Sequence, residues 1–397
     1  MGWDATFILA CVSLIAVFAG AGLPIPVLDA YRAAGLRTSD FAYASCAYFV
    51  AAAVGLLLFG RLSDLLGRKP VAATSLVIAA VGCAIMIAVD AAGWLIVARG
   101  FQGLACGVAP GALGAYIVDT AGQRRWLPAL VTGSAPMIGL PGGALAGGAL
   151  VELGGIDKNA MFATGAGALG VLSLALLTCR EPVTRRRGVW ATVKPRLALP
   201  LSARKEALTV AGIFVATWPL GGFYQAFGSI VAEDILGATD VLTAGLIFAS
   251  IMLLNPLGGA IAPAVPARWG VAIGMSAYGA CLVGATLALW NEKASLFVLA
   301  SLLCGIAQGI AATCAMRLLI PVAAPQDRAG VVATIYFIAY LSVAVAGLAA
   351  GLGANLVDLK QIAAMYAALG LLATTLVVGS AILPEPRRST TSKKAGH

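Results

Sequence analysis

The sequence predicts an all-α polytopic membrane protein with twelve transmembrane helices, and three observations predict it. Over 397 residues the chain is 60% hydrophobic and only 11% charged, with a mean hydropathy of +0.95. Soluble domains run nearer ~45–50% apolar and ~25% charged. The apolar residues gather in twelve runs, each close to the ~20 residues a spanning helix needs. Stretches such as Ser75–Val89 do not alternate apolar and polar positions as barrel strands do, and hydrocarbon admits only helices or closed barrels.

The runs of the first half fall at 6–28, 41–60, 71–89, 93–118, 127–150 and 160–179. Those of the second half fall at 207–231, 241–262, 270–290, 294–320, 328–353 and 359–382. The first run is not a cleaved signal, since its start, "MGWDAT", carries Asp4 and no basic residue. It ends in the helix-bending "GLPIPVLD". Between runs two and three, "GRLSDLLGRKP" concentrates Arg61, Asp64, Arg68 and Lys69 around Gly60 and Gly67, which predicts a tight turn with charged work to do. Run four carries Arg99, a buried cation costing ~2.5–3.5 kcal/mol on insertion scales and functional by default. Between runs six and seven, Arg180 to Glu206 holds three prolines and the Arg185–Arg187 cluster, as a linker against anionic headgroups would. The chain therefore divides into a first bundle (1–180), a linker (181–206) and a second bundle with a short basic tail (207–397).

Lys and Arg orient membrane proteins through the short loops. With the N-terminus inside, twenty of these residues fall on the inner loops and tail and five outside: Arg32, Arg37, Lys158, Lys293 and Lys360. Both termini are therefore expected in the cytoplasm, and the net charge of +9 reflects topology rather than nucleic-acid binding. The eight scattered cysteines form no CxxC and the one histidine is the last residue, so no metal site is expected. The halves also repeat: "LACGVAPGAL" (104–113) aligns with "LLCGIAQGIA" (302–311) at an offset of 198. Such a duplication implies two bundles around a central site.

With these features the chain resembles the major facilitator superfamily, across all twelve runs. Gly60, Leu62, Asp64, Gly67, Arg68 and Lys69 fill every fixed position of that family's loop between helices two and three. The resemblance implies a gating latch in which Asp64 meets the start of helix eleven and Arg68 pairs with Asp119 at the foot of helix four. Arg99, Gln102 and Gly103 match a second signature. Arg99 needs an acid, and Asp29 at the outer end of helix one is the candidate for a proton-coupling pair. Gly139, Gly143, Gly147 and Gly148 match the helix-five signature of drug/proton antiporters and are expected to pack against the other bundle. Ala144 replaces that signature's proline, which stands instead at Pro141, as in the arabinose- and chloramphenicol-efflux branch.

The resemblance implies a cavity lined chiefly by helices one, four, seven and ten. Polar and aromatic candidates for it are Gln102, Trp218, Tyr224, Gln225, Asn255, Gln308, Tyr336 and Tyr340. The second half has no intramembrane acid, so a site this poor in charge suits an uncharged or lipophilic substrate. The expectation is alternating access with proton-coupled efflux of small, largely apolar or uncharged compounds, as in multidrug resistance. A proton-linked importer of a sugar or similar metabolite is the alternative. A sensor or membrane enzyme is a distant one, since no nucleophile–base pair can involve histidine and no metal-ligand cluster or phosphate loop is present. The expected setting is the bacterial cytoplasmic membrane, with a monomer using protons, a small-molecule substrate, the lipid bilayer and no cofactor.

Overall fold

The computed structural model describes residues 2–60, 62–124, 126–182, 197–200, 203–238, 240–324, 327–354 and 356–382. Arg61, Arg125, the Arg185–Arg187 cluster and the basic tail lie outside them. Among the described residues there is no strand, and twelve helices are long and apolar enough to cross a membrane. They are α1 (Trp3–Ala33), α2 (Thr38–Phe59), α3 (Arg68–Ile87), α4 (Ala92–Thr120), α5 (Leu127–Glu152) and α6 (Lys158–Leu177). The second half supplies α7 (Arg204–Asp234), α8 (Val241–Ala264), α9 (Ala267–Trp290), α10 (Ala294–Val322), α11 (Arg328–Gly353) and α12 (Leu359–Ser380). Val171, Val345 and Leu372 are exposed well inside their helices, where lipid tails take the place of water, and Trp94, Trp126, Trp269 and Trp290 stand exposed near helix ends, as interfacial tryptophans do.

Prolines break two of the helices. In α1, Pro24 and Pro26 remove backbone donors, and the chain passes through a 3-10 turn at Ile25–Val27 before resuming as Leu28–Ala33. In α8 the helix interrupts at Leu254 and restarts at Asn255–Ile261 with Pro256 in its first turn.

Within the first half, α4 packs on α1, α2 and α3, while α5 packs on α1 and α6 on α3. Small residues set the α2–α4 distance: a Cβ on Gly103 would stand 2.0 Å from the Tyr48 carbonyl oxygen, and one on Gly107 2.2 Å from that of Ala52. The second half repeats the device, with Gly305 and Gly309 of α10 pressed on the Ile251 and Asn255 carbonyls of α8. Gly107 and Gly305 stand at the 198-residue offset read in the sequence, as do Gly309 and Gly111, the latter set on the Gly60 carbonyl, so the repeat is seen as backbone-to-backbone packing. The halves meet along two seams, α5 on α8 and α2 on α11.

The tightest points of those seams lie toward the outer ends. Gly148 sits on Leu242, Gly245 on the Ala144 carbonyl, and Gly351 on the Tyr43 ring. Between α7 and α8 the Ile25–Val27 turn fills the remaining space, with Ile25 and Val27 buried. The molecule is thus closed outside, with inside and outside assigned by the Lys/Arg bias.

Candidate functional site: an inward-facing chamber

Between the halves lies a chamber of about 390 Å³. Its walls reach down the early turns of α5 (Ala129, Thr132, Pro136) and of α11 (Val332, Tyr336), which start on the inner side. The lining is almost wholly apolar and aromatic and includes no charged side chain. Trp218 of α7 is its centrepiece. The indole contacts Phe214, Tyr336 and Tyr340 at ring-centroid separations of 5.3, 5.7 and 5.4 Å, and Phe49 of α2 meets Tyr340 from the first half at 6.2 Å. Such edge and tilted contacts fix the rings and leave a π-faced surface toward the chamber.

Polar groups in the wall are few. Gln308 donates through Nε2 to Thr217 Oγ1 at 3.1 Å, and Thr217 donates to the Ile213 carbonyl at 2.9 Å. The Gln225 side chain also lines the chamber, and its Oε1 is buried without a partner. Five of the eight side chains that sequence alone nominates are here: Trp218, Gln225, Gln308, Tyr336 and Tyr340.

The other three are used for packing. The Tyr224 hydroxyl shares a 2.6 Å hydrogen bond with Ser301 Oγ while the ring stacks on Phe297, so it ties α7 to α10. Asn255 opens the second segment of α8 and offers its carbonyl to the close approach of Gly309. Gln102 is buried behind the wall, bonded to α1.

That bond explains the second sequence signature and corrects the expected Asp29–Arg99 pair. Pro24 has no N–H, so the Gly20 carbonyl four residues earlier loses its helical donor; Gln102 Nε2 supplies one at 3.2 Å. Arg99 Nη1 donates to the neighbouring Ala21 carbonyl at 2.8 Å and to Gln102 Oε1 at 2.7 Å. Its guanidinium carbon stands 4.7 Å from the Tyr48 ring centroid, Arg99 is buried, and its Nη2 has no partner. Arg99 and Gln102 therefore buttress the break in α1. Asp29 faces elsewhere: its Oδ1 accepts from Arg32 Nε at 2.8 Å.

Arg32 is a residue that sequence reasoning counted only for its charge. Besides Asp29, it donates to Asp234 through Nη1 and Nη2 at 2.5 and 2.7 Å and to Glu233 at 3.3 Å, all at the outer end of α7. One guanidinium thus joins the halves outside. The signal was present, since Asp29 and Arg32 share a face at i,i+3 and Glu233–Asp234 are the only adjacent acids in the chain. A second outer contact crosses the halves where Glu152 Oε2 accepts from the Val241 amide at 3.2 Å. Asp240 beside it caps α8; hydrogen bonds from Thr243 hold its carboxyl below the usual carboxylate range.

On the inner side, Arg68 Nε donates to Asp119 Oδ2 at 2.9 Å, Nη1 to Ser63 Oγ at 2.9 Å, and the same group to Asp64. All of these residues belong to the first half. Gly60 gives its carbonyl to the close approach of Gly111 on α4. Glu181, unremarked in the sequence, accepts from the Arg68 and Lys69 amides at 2.9 Å each, satisfying the open N-terminus of α3. Gly67 makes this possible: its φ is +97°, and a Cβ there would stand 2.7 Å from Glu181 Oε2. The same offset of 198 carries Asp119 to Arg317. That arginine donates to the Ala262 and Val265 carbonyls at 2.8 and 3.1 Å, so the second half closes its matching corner with a cation on bare carbonyls.

The helix-five glycines also need correction. Gly139 and Gly143 pack against α1, on Ile15, Phe18 and Ala19, and Gly147 on Leu23 and Met161, all within the first half. Gly148 is the one of the four whose nearest neighbours, Val241 and Leu242, belong to the other half.

Comparison with known proteins agrees with this architecture. A profile of the Major Facilitator Superfamily matches residues 6–340. A uridine/deoxyuridine transporter of Lactococcus lactis subsp. cremoris (strain MG1363) is 33% identical over 171 residues, a match spanning 42% of this chain and 35% of that protein's length. Among solved structures, a variant of the nucleoside transporter NupG superposes with a TM-score of 0.73 at 15% identity, covering 94% of this chain and 99% of the other. A D-xylose-proton symporter gives the same score and identity, covering 95% and 97%.

Proposed function

The chain belongs to the Major Facilitator Superfamily of transporters, and on that premise we propose that it takes up an uncharged, ring-bearing solute of the nucleoside or sugar kind, driven by protons. The observation that carries this reading is the chamber. Its wall holds no charged side chain, presents the faces of Trp218, Tyr336 and Tyr340, and carries the polar groups of Gln225, Gln308, Thr132 and Thr217, the two hydroxyls donating to carbonyls of their own helices and keeping acceptor capacity. Aromatic faces bind planar rings, and each stacked base is worth ~1–3 kcal/mol in proteins that use this mode. Two amides and two hydroxyls suit hydroxyl or imide edges and leave an anion without a counter-charge. The relatives named for uridine, nucleosides and D-xylose lean the same way, so uptake comes before the efflux expected from the helix-five glycines. Coupling falls to the carboxylates at the outer seal, Asp29, Glu233 and Asp234, because the chamber lining holds none.

Export of largely apolar compounds is the second reading, favoured by the scarcity of polar atoms in the wall. In both readings Arg68, Asp64 and Asp119, with Gly60 and Gly67, act as the inner latch, engaged across the halves when the outside opens. Proteoliposomes with an imposed pH gradient separate the readings. Accumulation of labelled uridine or D-xylose that collapses with a protonophore supports uptake. Expulsion of an apolar dye with no accumulation of either solute overturns it in favour of export.

A further inference from the structure

Gln225, Ser229 and Glu233 follow one another at intervals of four along α7, which places them on one helical face. The two ends of this stripe have evident surroundings. Gln225 lines the chamber, and Glu233 accepts from Arg32 at the outer rim. The stretch between them lies in the sealed outer half, where the Ile25–Val27 turn packs against α7 and α8. Ser229 is 1% exposed there and its Oγ has no hydrogen-bond partner; Gln225 is 2% exposed and its Oε1 has none either. A buried polar group left unbonded costs ~1–3 kcal/mol. Two of them, one turn apart, stand on a face that joins the chamber to the outer ion cluster.

We propose that the Gln225–Ser229–Glu233 face of α7 is the wall of the outer half of the solute path, and that Arg32 is the bond that shuts it. When Arg32 releases Glu233 and Asp234, the Ser229 hydroxyl and the Gln225 amide face water and give a hydroxyl-bearing, uncharged solute its first hydrogen bonds on the way in. Gln225 then serves both half-paths, since it already lines the chamber open to the inside. The identity of the solute rests on the uptake reading above; the path itself does not.

The test is thiol accessibility in the full-length protein. Ser229→Cys, nearly isosteric, is treated with a membrane-impermeant maleimide from the outside, and modification at position 229 is resolved from the native cysteines by peptide mass spectrometry. With Arg32 intact the residue labels slowly; adding Arg32→Gln, or Asp234→Asn as an independent way of loosening the seal, accelerates labelling about tenfold or more, the scale of a ~1.4 kcal/mol shift between states. Rates that stay within a factor of two in both double variants overturn the path. This readout uses no transported solute, so failure of wild-type uridine uptake sinks the solute class and leaves the path to be judged on labelling alone. Where the wild type does take up uridine, Ser229→Ala raises its KM up to about tenfold, the equivalent of one hydrogen bond, with kcat little changed. An unchanged KM overturns the contact.

Discussion

Substituting Gly148 by alanine adds one methyl group at the outer seam between the halves and nowhere else. The new Cβ would stand 2.8 Å from Leu242 Cα and 3.0 Å from the Val241 carbonyl oxygen, both backbone atoms of α8 that no rotamer change can move. Overpacking of this kind costs ~1–3 kcal/mol. The cost falls on the inward-facing arrangement alone, because α5 and α8 separate at this level when the outside opens. The ratio of outward- to inward-facing molecules should therefore rise by ~5–150-fold. Gly143→Ala is the matched control: its Cβ would meet the Ala19 carbonyl at 2.0 Å, but within the first half, where both states suffer alike. Spin labels placed at positions 37 and 356, in the loops that follow α1 and α11, report the outer separation of the halves. Gly148→Ala should add a longer-distance population, whereas Gly143→Ala should lower the melting temperature and leave the distribution in place. A Gly148→Ala distribution identical to wild type would refute the assignment of the outer seal to the α5–α8 seam.

Three further outcomes follow from the same contacts. Gly67→Ala should reduce folded yield sharply, since φ of +97° and the Glu181 carboxylate both oppose a side chain; a melting curve in detergent matching wild type would contradict this. Gln102→Leu strips the Gly20 carbonyl of its donor and Arg99 of its one side-chain acceptor, so stability should fall by ~1–3 kcal/mol. Denaturant titration reads it, and the loss should appear equally in molecules that bind solute and in those that do not. Trp218→Ala removes the ring that three other aromatics orient, and should weaken solute binding by ~1–3 kcal/mol; calorimetric titration with uridine showing unaltered affinity would remove Trp218 from the site.

The membrane spans were legible because hydrocarbon demands ~20 apolar residues in a row and the loops between them are polar. Depth was legible too: Asp29 and Arg99 do both lie in the outer part of the first half. What depth leaves open is azimuth. Asp29 and Arg99 stand at compatible heights on α1 and α4, but Pro24 frees the Gly20 carbonyl, which claims Gln102, Arg99 bonds Gln102 and the adjacent Ala21 carbonyl, and Asp29 meets Arg32 beside α7. The same limit explains the glycines of α5. A spacing of four states that they share a face, and says nothing of which neighbour that face meets. Glu181 was hidden for another reason: it lies at the start of the linker, among charges that read as headgroup contacts, and its purpose depends on the α3 N-terminus more than a hundred residues earlier in the chain.

The mismatch between Asp119 and Arg317 has a consequence for how the two halves sense their surroundings. A carboxylate gripping a guanidinium is an ion pair, open to competition from salt and from lipid phosphates. A guanidinium gripping peptide oxygens keeps its full charge, because its acceptors are neutral. Surface charge on the cytoplasmic leaflet therefore acts unequally on the two inner corners, on an ion pair in one half and on a cation held by neutral oxygens in the other, so a nearly symmetric machine meets its membrane asymmetrically.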